Sequence, residues 1–136
     1  MTDIAAIRAA AARLAPVVRR TPLLESPFLN DIAGRRVLVK AECLQHTGSF
    51  KFRGAWSAIS AMDPELRARG VFAYSSGNHA QGMAYAAQLH GIPAVILMPA
   101  DAPRLKLANT DALGAEVITY DRDRESREEI GARLAA

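Results

Sequence analysis

The chain has 136 residues and a net charge of +3, with half of its residues apolar and 23% charged. That is enough for one ordinary domain with a real core, in the composition of a soluble globular protein. The positive excess is scattered over Arg8, Arg13, Arg19, Arg20, Arg35 and Arg36, and the few aromatics are not interleaved with it, which speaks against nucleic acid as a partner.

In chain order, Ile4, Ile7, Ala11, Leu14 and Val18 fall at helical spacing, so residues 3–18 read as an amphipathic helix limited by Pro16. Thr21-Pro22-Leu23-Leu24 is extended by the proline rule, and residues 27–32 form a short helical turn. Residues 37–42 read as a strand after the Gly34-Arg35-Arg36 turn. A helix follows from Ser49 to about Ala61, then a helical turn over residues 64–69 closed by Gly70. From Val71 the pattern becomes regular. Strands over residues 71–75, 94–98 and 116–120 alternate with helices over residues 78–90, 103–113 and 124–135. Gly91 and Gly114 close the first two of these helices, and Asp121 or Asp123 is expected to cap the last. Residues 94–98 are almost continuously apolar, as in a parallel strand buried on both faces. The fold class is therefore α/β, an open parallel sheet with flanking helices. The polar turn between Asp63 and Gly70 divides the chain into residues 1–69 and 70–136.

One cysteine, Cys43, leaves no disulfide framework and no cysteine pair for a metal. Residues 1–12 contain Asp3 and Arg8 and lack the long apolar core of a signal peptide. The longest apolar run, residues 92–100, is broken by prolines and too short for a bilayer. The expectation is a cytoplasmic protein with no membrane partner and no metal.

The informative stretch is Thr47-Gly48-Ser49-Phe50-Lys51-Phe52-Arg53-Gly54-Ala55. Ser49 is a good N-cap. Lys51 and Arg53 then place two cations where the helix dipole favours anions. Phe50 and Phe52 flank Lys51 and take it partly out of water. A lysine so placed beside a second cation tends toward the neutral, nucleophilic amine that makes a Schiff base with an aldehyde. Taken alone, the same residues also describe a capped surface helix with solvated cations. A second stretch, Ser75-Ser76-Gly77-Asn78-His79-Ala80-Gln81-Gly82, lies where a strand becomes a helix. Open α/β sheets bind ligands there, with backbone amides facing an anion. Its bland reading is a capped turn. Neither stretch is a dinucleotide fingerprint or a P-loop.

Lys40-x-Glu42-x-x-Gln45-x-Thr47-Gly48-Ser49-Phe50-Lys51-x-Arg53-Gly54-Ala55 resembles the lysine motif of pyridoxal-phosphate enzymes of the serine/threonine dehydratase and serine racemase family. Ser75 to Gly82 is similar to that family's substrate-carboxylate loop, and the two motifs stand in the right order, 24 residues apart from Lys51 to Ser75. His79 favours this subgroup over cysteine-synthase relatives. Gly91-Ile92-Pro93-Ala94, Met98-Pro99, Pro103-x-x-Lys106 and Gly114-Ala115-Glu116-Val117 follow the same family, so the resemblance covers essentially the whole chain.

The resemblance implies a fold type II enzyme with pyridoxal 5'-phosphate on Lys51, residues 1–69 beginning its large domain and residues 70–136 building most of its small one. Phe50 packs near the cofactor ring and Asn78 reaches its ring hydroxyl. Ser75, Ser76, Gly77, Asn78 and His79 clamp the substrate carboxylate. The implied reaction is β-elimination of ammonia from L-serine or L-threonine, giving a 2-keto acid, with Lys51 as base. Ser76 stands where racemising members carry a second acid/base and simple dehydratases often have alanine. Serine racemisation and hydroxyaspartate dehydration therefore stay open. The family's glycine-rich phosphate loop has no counterpart, since no two of the nine glycines are adjacent. The expectation is an N-terminal piece, inactive by itself, of a protein that is a homo-oligomer when complete. An inactive fragment or binding module is the remaining alternative. His46 and His90 are expected to be structural, with His90 as a cation suited to a helix C-terminus.

Overall fold

The structure, a computed structural model, describes residues 3–135. Asp3 opens α1 (Ile4–Leu14) by accepting the Ala6 N–H at 2.8 Å. The helix stops ahead of Pro16. The Thr-Pro segment leads into β1 (Leu23–Glu25), which the seven-residue α2 (Pro27–Ala33) joins to β2 (Leu38–Lys40). Gly34, at φ 61°, closes α2 in the left-handed region that glycine favours.

β1 and β2 form a two-stranded antiparallel sheet, Leu24 opposite Val39. One expectation is corrected here. The strand over residues 37–42 is shorter, because Ala41 and Glu42 leave it for a 3-10 turn at Glu42–Leu44. It pairs with β1, and among the described residues no strand lies on its other edge.

After 3-10 turns at Glu42–Leu44 and His46–Gly48 comes α3 (Lys51–Ser60), followed by α4 (Pro64–Ala68). The second sheet is parallel, in the order β3 (Val71–Tyr74), β4 (Ala94–Pro99), β5 (Glu116–Tyr120). Val71 lies opposite Ala94, and Ile96 opposite Val117. β4 is the middle strand, and Ile96, Leu97 and Met98 are fully buried. Its central position accounts for the apolar run read from the sequence. α5 (Asn78–His90) and α6 (Arg104–Ala112) connect the strands, and α7 (Arg127–Ala135) closes the described chain. Ser126, five and three residues later than the expected caps Asp121 and Asp123, holds α7: its Oγ accepts the Glu129 N–H at 3.3 Å. Asp121 instead braces the preceding turn, accepting the Asp123 N–H at 3.0 Å.

The core lies between α3, α5 and β4. Phe52, Ala55 and Ile59 of α3 meet Ala80, Met83, Ala84, Ala86 and Ala87 of α5, with Ile96 and Met98 behind them. α5 supplies the packing surface for this face of α3. α1 is different. It carries no buried residue, and Ile4 and Ile7 stay exposed.

Two histidines complete this picture. His90 stacks on Trp56 at 4.1 Å between ring centroids. Burial first, and then the charge of Arg67, hold its imidazole below the usual range. It is thus a neutral packing ring at neutral pH, not the cation expected at the helix end. His46 is also structural: its Nε2 lies 3.0 Å from the Val17 carbonyl, and its ring packs against Phe52 and Tyr85. Among the described residues, no helix is long and apolar enough to cross a membrane.

Candidate active site

The approach to Lys51 is a forced turn. Thr47 at φ 58° and Gly48 at φ 67° both occupy the left-handed region. For a β-branched residue that conformation costs on the order of 1–3 kcal/mol and persists only where neighbours over-determine it. Gln45 is the neighbour that does so here. It is buried; its Oε1 accepts the Arg19 N–H at 3.0 Å and its Nε2 donates to the Arg19 carbonyl at 2.8 Å. The Gln45 carbonyl in turn accepts the Gly48 N–H at 3.0 Å. α3 begins at Lys51, two residues past the expected cap. Ser49 still serves the helix start, with its Oγ 3.4 Å from the Lys51 amide nitrogen.

The flanking groups sort differently from the expectation. Phe52 turns fully into the core, while Phe50 is exposed on the surface and its ring centroid lies 5.2 Å from Lys51 Nζ. Arg53 is not an unanswered cation. Its Nε donates to Glu42 Oε2 at 2.8 Å. Thr21 Oγ1 donates to Glu42 Oε1 at 2.6 Å and itself accepts from Lys40 Nζ at 2.7 Å. An ammonium only donates, so the Thr21 proton must go to Glu42. The order Lys40, Thr21, Glu42, Arg53 is therefore directional, and it ties the segment after α1 to the first turn of α3. Burial pushes the Glu42 carboxyl up. The Thr21 hydroxyl and the charges of Arg53 and Lys40 outweigh that and hold it below the usual carboxylate range.

A depressed carboxyl contributes stability that is present above its unfolded titration range and lost as pH falls through the folded one. Glu42→Gln places an NH2 group against a donor and is expected to cost about 1–3 kcal/mol near neutrality. The difference in melting temperature between parent and variant should shrink as pH falls below about 4. A difference that stays constant from neutral to acid would contradict this role.

The second stretch lands at the carboxyl end of β3. The Ser75 N–H donates to the Leu97 carbonyl at 3.1 Å, and Ser75 Oγ accepts the Gly77 N–H at 3.3 Å. Gly77 precedes α5, whose first turn opens with Asn78 and His79. First-turn amides have no acceptor within their helix and face outward as donors. Ser76 and Asn78 are exposed; Ser75, Gly77 and His79 are half-buried. Burial first, and then the Lys51 charge, hold the His79 imidazole below its usual range, so it is neutral at neutral pH.

The two stretches meet at Gly82. A Cβ built there would stand 3.0 Å from the Lys51 carbonyl carbon, 3.1 Å from the Phe52 nitrogen and 3.2 Å from Lys51 Cβ. Only a residue without a side chain lets α5 approach the backbone of Lys51 so closely. The arrangement offers an amine beside an aromatic ring, with a helix start and hydroxyls on the adjoining element. It suits capture of an aldehyde and of an anion next to it.

Sequence reasoning quoted Glu42 and Gly82 inside motifs and gave them no role, and it read Arg53 only as a second cation beside Lys51. A pair 11 residues apart such as Glu42 and Arg53 has no periodicity to reveal it. It also missed a polar cleft of about 290 Å³ that Ser75 and Ser76 share with Tyr74, Tyr120, Arg122 and Arg127. The rule that open sheets bind ligands beyond the carboxyl ends of their strands was the signal available. Arg127 packs over the Tyr74 ring and Arg122 pairs with Asp101 at 2.8 Å. A larger cleft of about 380 Å³, which includes Thr47, Gln81 and Tyr85, does not include Lys51.

A family model described as "Pyridoxal-phosphate dependent enzyme" matches residues 14–136. L-threo-3-hydroxyaspartate ammonia-lyase from a Pseudomonas species is 53% identical over 126 residues, covering 93% of this chain and 40% of that protein. L-threonine ammonia-lyase of Thermotoga maritima is 49% identical over 118 residues, covering 87% of this chain and 29% of that protein. The structure of maize serine racemase superposes with a TM-score of 0.92 at 44% identity, covering 98% of this chain and 40% of that one. The chain thus spans well under half the length of these relatives.

Proposed function

This chain belongs to the pyridoxal-phosphate dependent enzyme family, and from that premise we propose that the complete protein eliminates ammonia from a small hydroxy amino acid. The observation that carries the reading is the meeting of Lys51 with the start of α5, through Gly82 against the Lys51 backbone.

The donor set fits the cofactor. Lys51 supplies an amine for its aldehyde carbon, Phe50 an aromatic neighbour and Asn78 an amide at the same end of the fold. The cofactor, when bound, supplies an electron sink for the substrate's α-carbon. Everything else falls to the protein. Lys51 would hold the cofactor and, as a free amine, would take the α-proton at Nζ. Ser75, Ser76, Gly77, Asn78 and His79 bind the substrate carboxylate with amides and hydroxyls at the helix start. A neutral His79 adds no charge there and can donate or accept one hydrogen bond. The Lys40–Thr21–Glu42–Arg53 chain keeps the first turn of α3 in place. The test is release of a 2-keto acid and ammonia from L-serine, L-threonine and L-threo-3-hydroxyaspartate by the complete protein. No release from any of the three would sink the reading.

Preference for hydroxyaspartate is a second reading that one observation favours. Arg122 and Arg127 share a cleft with Ser75 and Ser76. Released from Asp101 and Glu128, with which they pair at 2.8 and 2.7 Å, the two guanidinium groups would suit a second carboxylate beside the carboxylate loop. A kcat/KM that ranks L-threo-3-hydroxyaspartate first would support it.

Ser76 distinguishes racemisation from simple elimination. It is exposed in the loop after β3, and in this reading it takes the acid/base role on the substrate face away from Lys51. Ser76→Ala is expected to suppress D-serine formation while L-substrate elimination survives. Equal loss with both enantiomers would make Ser76 a carboxylate ligand alone.

Residues 1–136 by themselves are expected to take up aldehyde without sustained turnover. Phe28 and Ile32 of α2 are 82% and 85% exposed, and Leu23, Leu24, Leu38 and Val39 of the small sheet are exposed beside them. That much apolar surface marks a face built to be covered. Keto acid release above the rate of free cofactor would contradict this.

A further inference from the structure

We infer that Lys106 is a positioning residue that sets which way the Asn78 side-chain amide faces. The inference rests on reading the Lys51 site as a pyridoxal-phosphate site. Lys106 lies in the first turn of α6 and Asn78 is the first residue of α5. Lys106 Nζ donates to Asn78 Oδ1. An ammonium has three donors and no acceptor, so it can face only the carbonyl side of the amide. The two Nδ2 hydrogens are thereby turned away from α6. Without a donor-only neighbour the amide could present oxygen or NH2 to the site with little preference.

The setting of Lys106 supports a role. The first turn of α6 holds Arg104 and Lys106 and no acid, and the first turn of α5 holds no acid either. Both helix starts disfavour a cation. Asn78 Oδ1 is the electronegative group that answers this one. The base of the side chain is also fixed, because the buried Thr110 donates its Oγ1 proton to the Lys106 carbonyl at 2.8 Å. Lys106 therefore turns Asn78 into a dedicated donor toward a ligand oxygen, which in the proposed site is the cofactor's ring oxygen. A hydrogen bond to that oxygen favours its ionised form and so sets the balance between the long- and short-wavelength absorbance bands.

The experiment compares Lys106→Met, which removes donor and charge, with Lys106→Arg, which keeps a donor-only group. One readout needs no cofactor: the side-chain carbonyl and amide NMR signals of Asn78. The other is the ratio of the two absorbance bands after pyridoxal phosphate is added. Lys106→Met is expected to move the Asn78 signals and to lower the long-wavelength share by about threefold. Lys106→Arg is expected to restore both. Unmoved Asn78 signals in Lys106→Met overturn the inference whatever the cofactor does. So does an unchanged band ratio with cofactor bound, or an Arg variant that behaves like Met. Failure of the parent to form any adduct on Lys51 overturns the function reading instead, and the Asn78 signals then decide the inference alone.

Discussion

Lys51→Ala is expected to abolish covalent attachment of pyridoxal phosphate and to lower elimination by the complete protein at least about a thousandfold. The size follows from losing two tasks with one amine. In the proposed function Nζ both holds the cofactor and acts as the base at the substrate's α-carbon, so kcat should fall with kcat/KM. Stability should hardly change, because the side chain is half-buried and Phe52 and Ile59 carry the packing of α3. The check is the long-wavelength absorbance of the added cofactor, with thermal melting run in parallel. A variant that keeps this absorbance, or one that loses it only because it no longer folds, would remove the support for Lys51.

Gly82→Ala is expected to do the opposite of an ordinary glycine-to-alanine change in a helix. In an exposed helix interior that change stabilises by about 1 kcal/mol. Here the new methyl meets the backbone of Lys51 and Phe52 at 3.0–3.2 Å. Phe52 is fully buried, so that backbone has little room to give. Overpacking of this kind costs about 1–3 kcal/mol, which outweighs the propensity gain. Gly82→Val adds branching at the same point and should cost more. The yield of borohydride-trapped cofactor on Lys51 should fall with stability, since the displaced atoms belong to Lys51 itself. Urea unfolding and adduct yield, measured together, test this. A Gly82→Ala variant that is more stable and labels normally would show that α5 does not set the seat of Lys51.

Much of this was legible from the sequence where one element decides its own form. The buried parallel strand at residues 94–98, the glycine stops at Gly91 and Gly114, and the strand-to-helix loop at residues 75–79 needed only local pattern. The departures come from contacts distant in sequence. Glu42 reads as the end of a strand, yet its carboxylate binds Thr21 and Arg53, and the backbone turns to put it there. Arg53 reads as a cation against a helix dipole until that partner is known. His90 reads as a helix-terminal cation until Trp56 covers its ring. Ser49 and Asp123 are good cap residues, yet the caps lie one and three positions later, at Phe50 and Ser126. The role of Gly82 depends on which helix lies against it, and no spacing rule carries that.

The central claim is that Lys51 is the one lysine placed to take the cofactor. Lys40 and Lys106 are the other two lysines, and each is already engaged, with Thr21 and with Asn78. The direct measurement is borohydride reduction of the protein incubated with pyridoxal phosphate, followed by peptide mass mapping. The account requires the pyridoxyl group on Lys51, and displacement of it when a hydroxy amino acid is added before reduction. Labelling spread evenly over Lys40, Lys51 and Lys106, or concentrated on either of the other two, would contradict it.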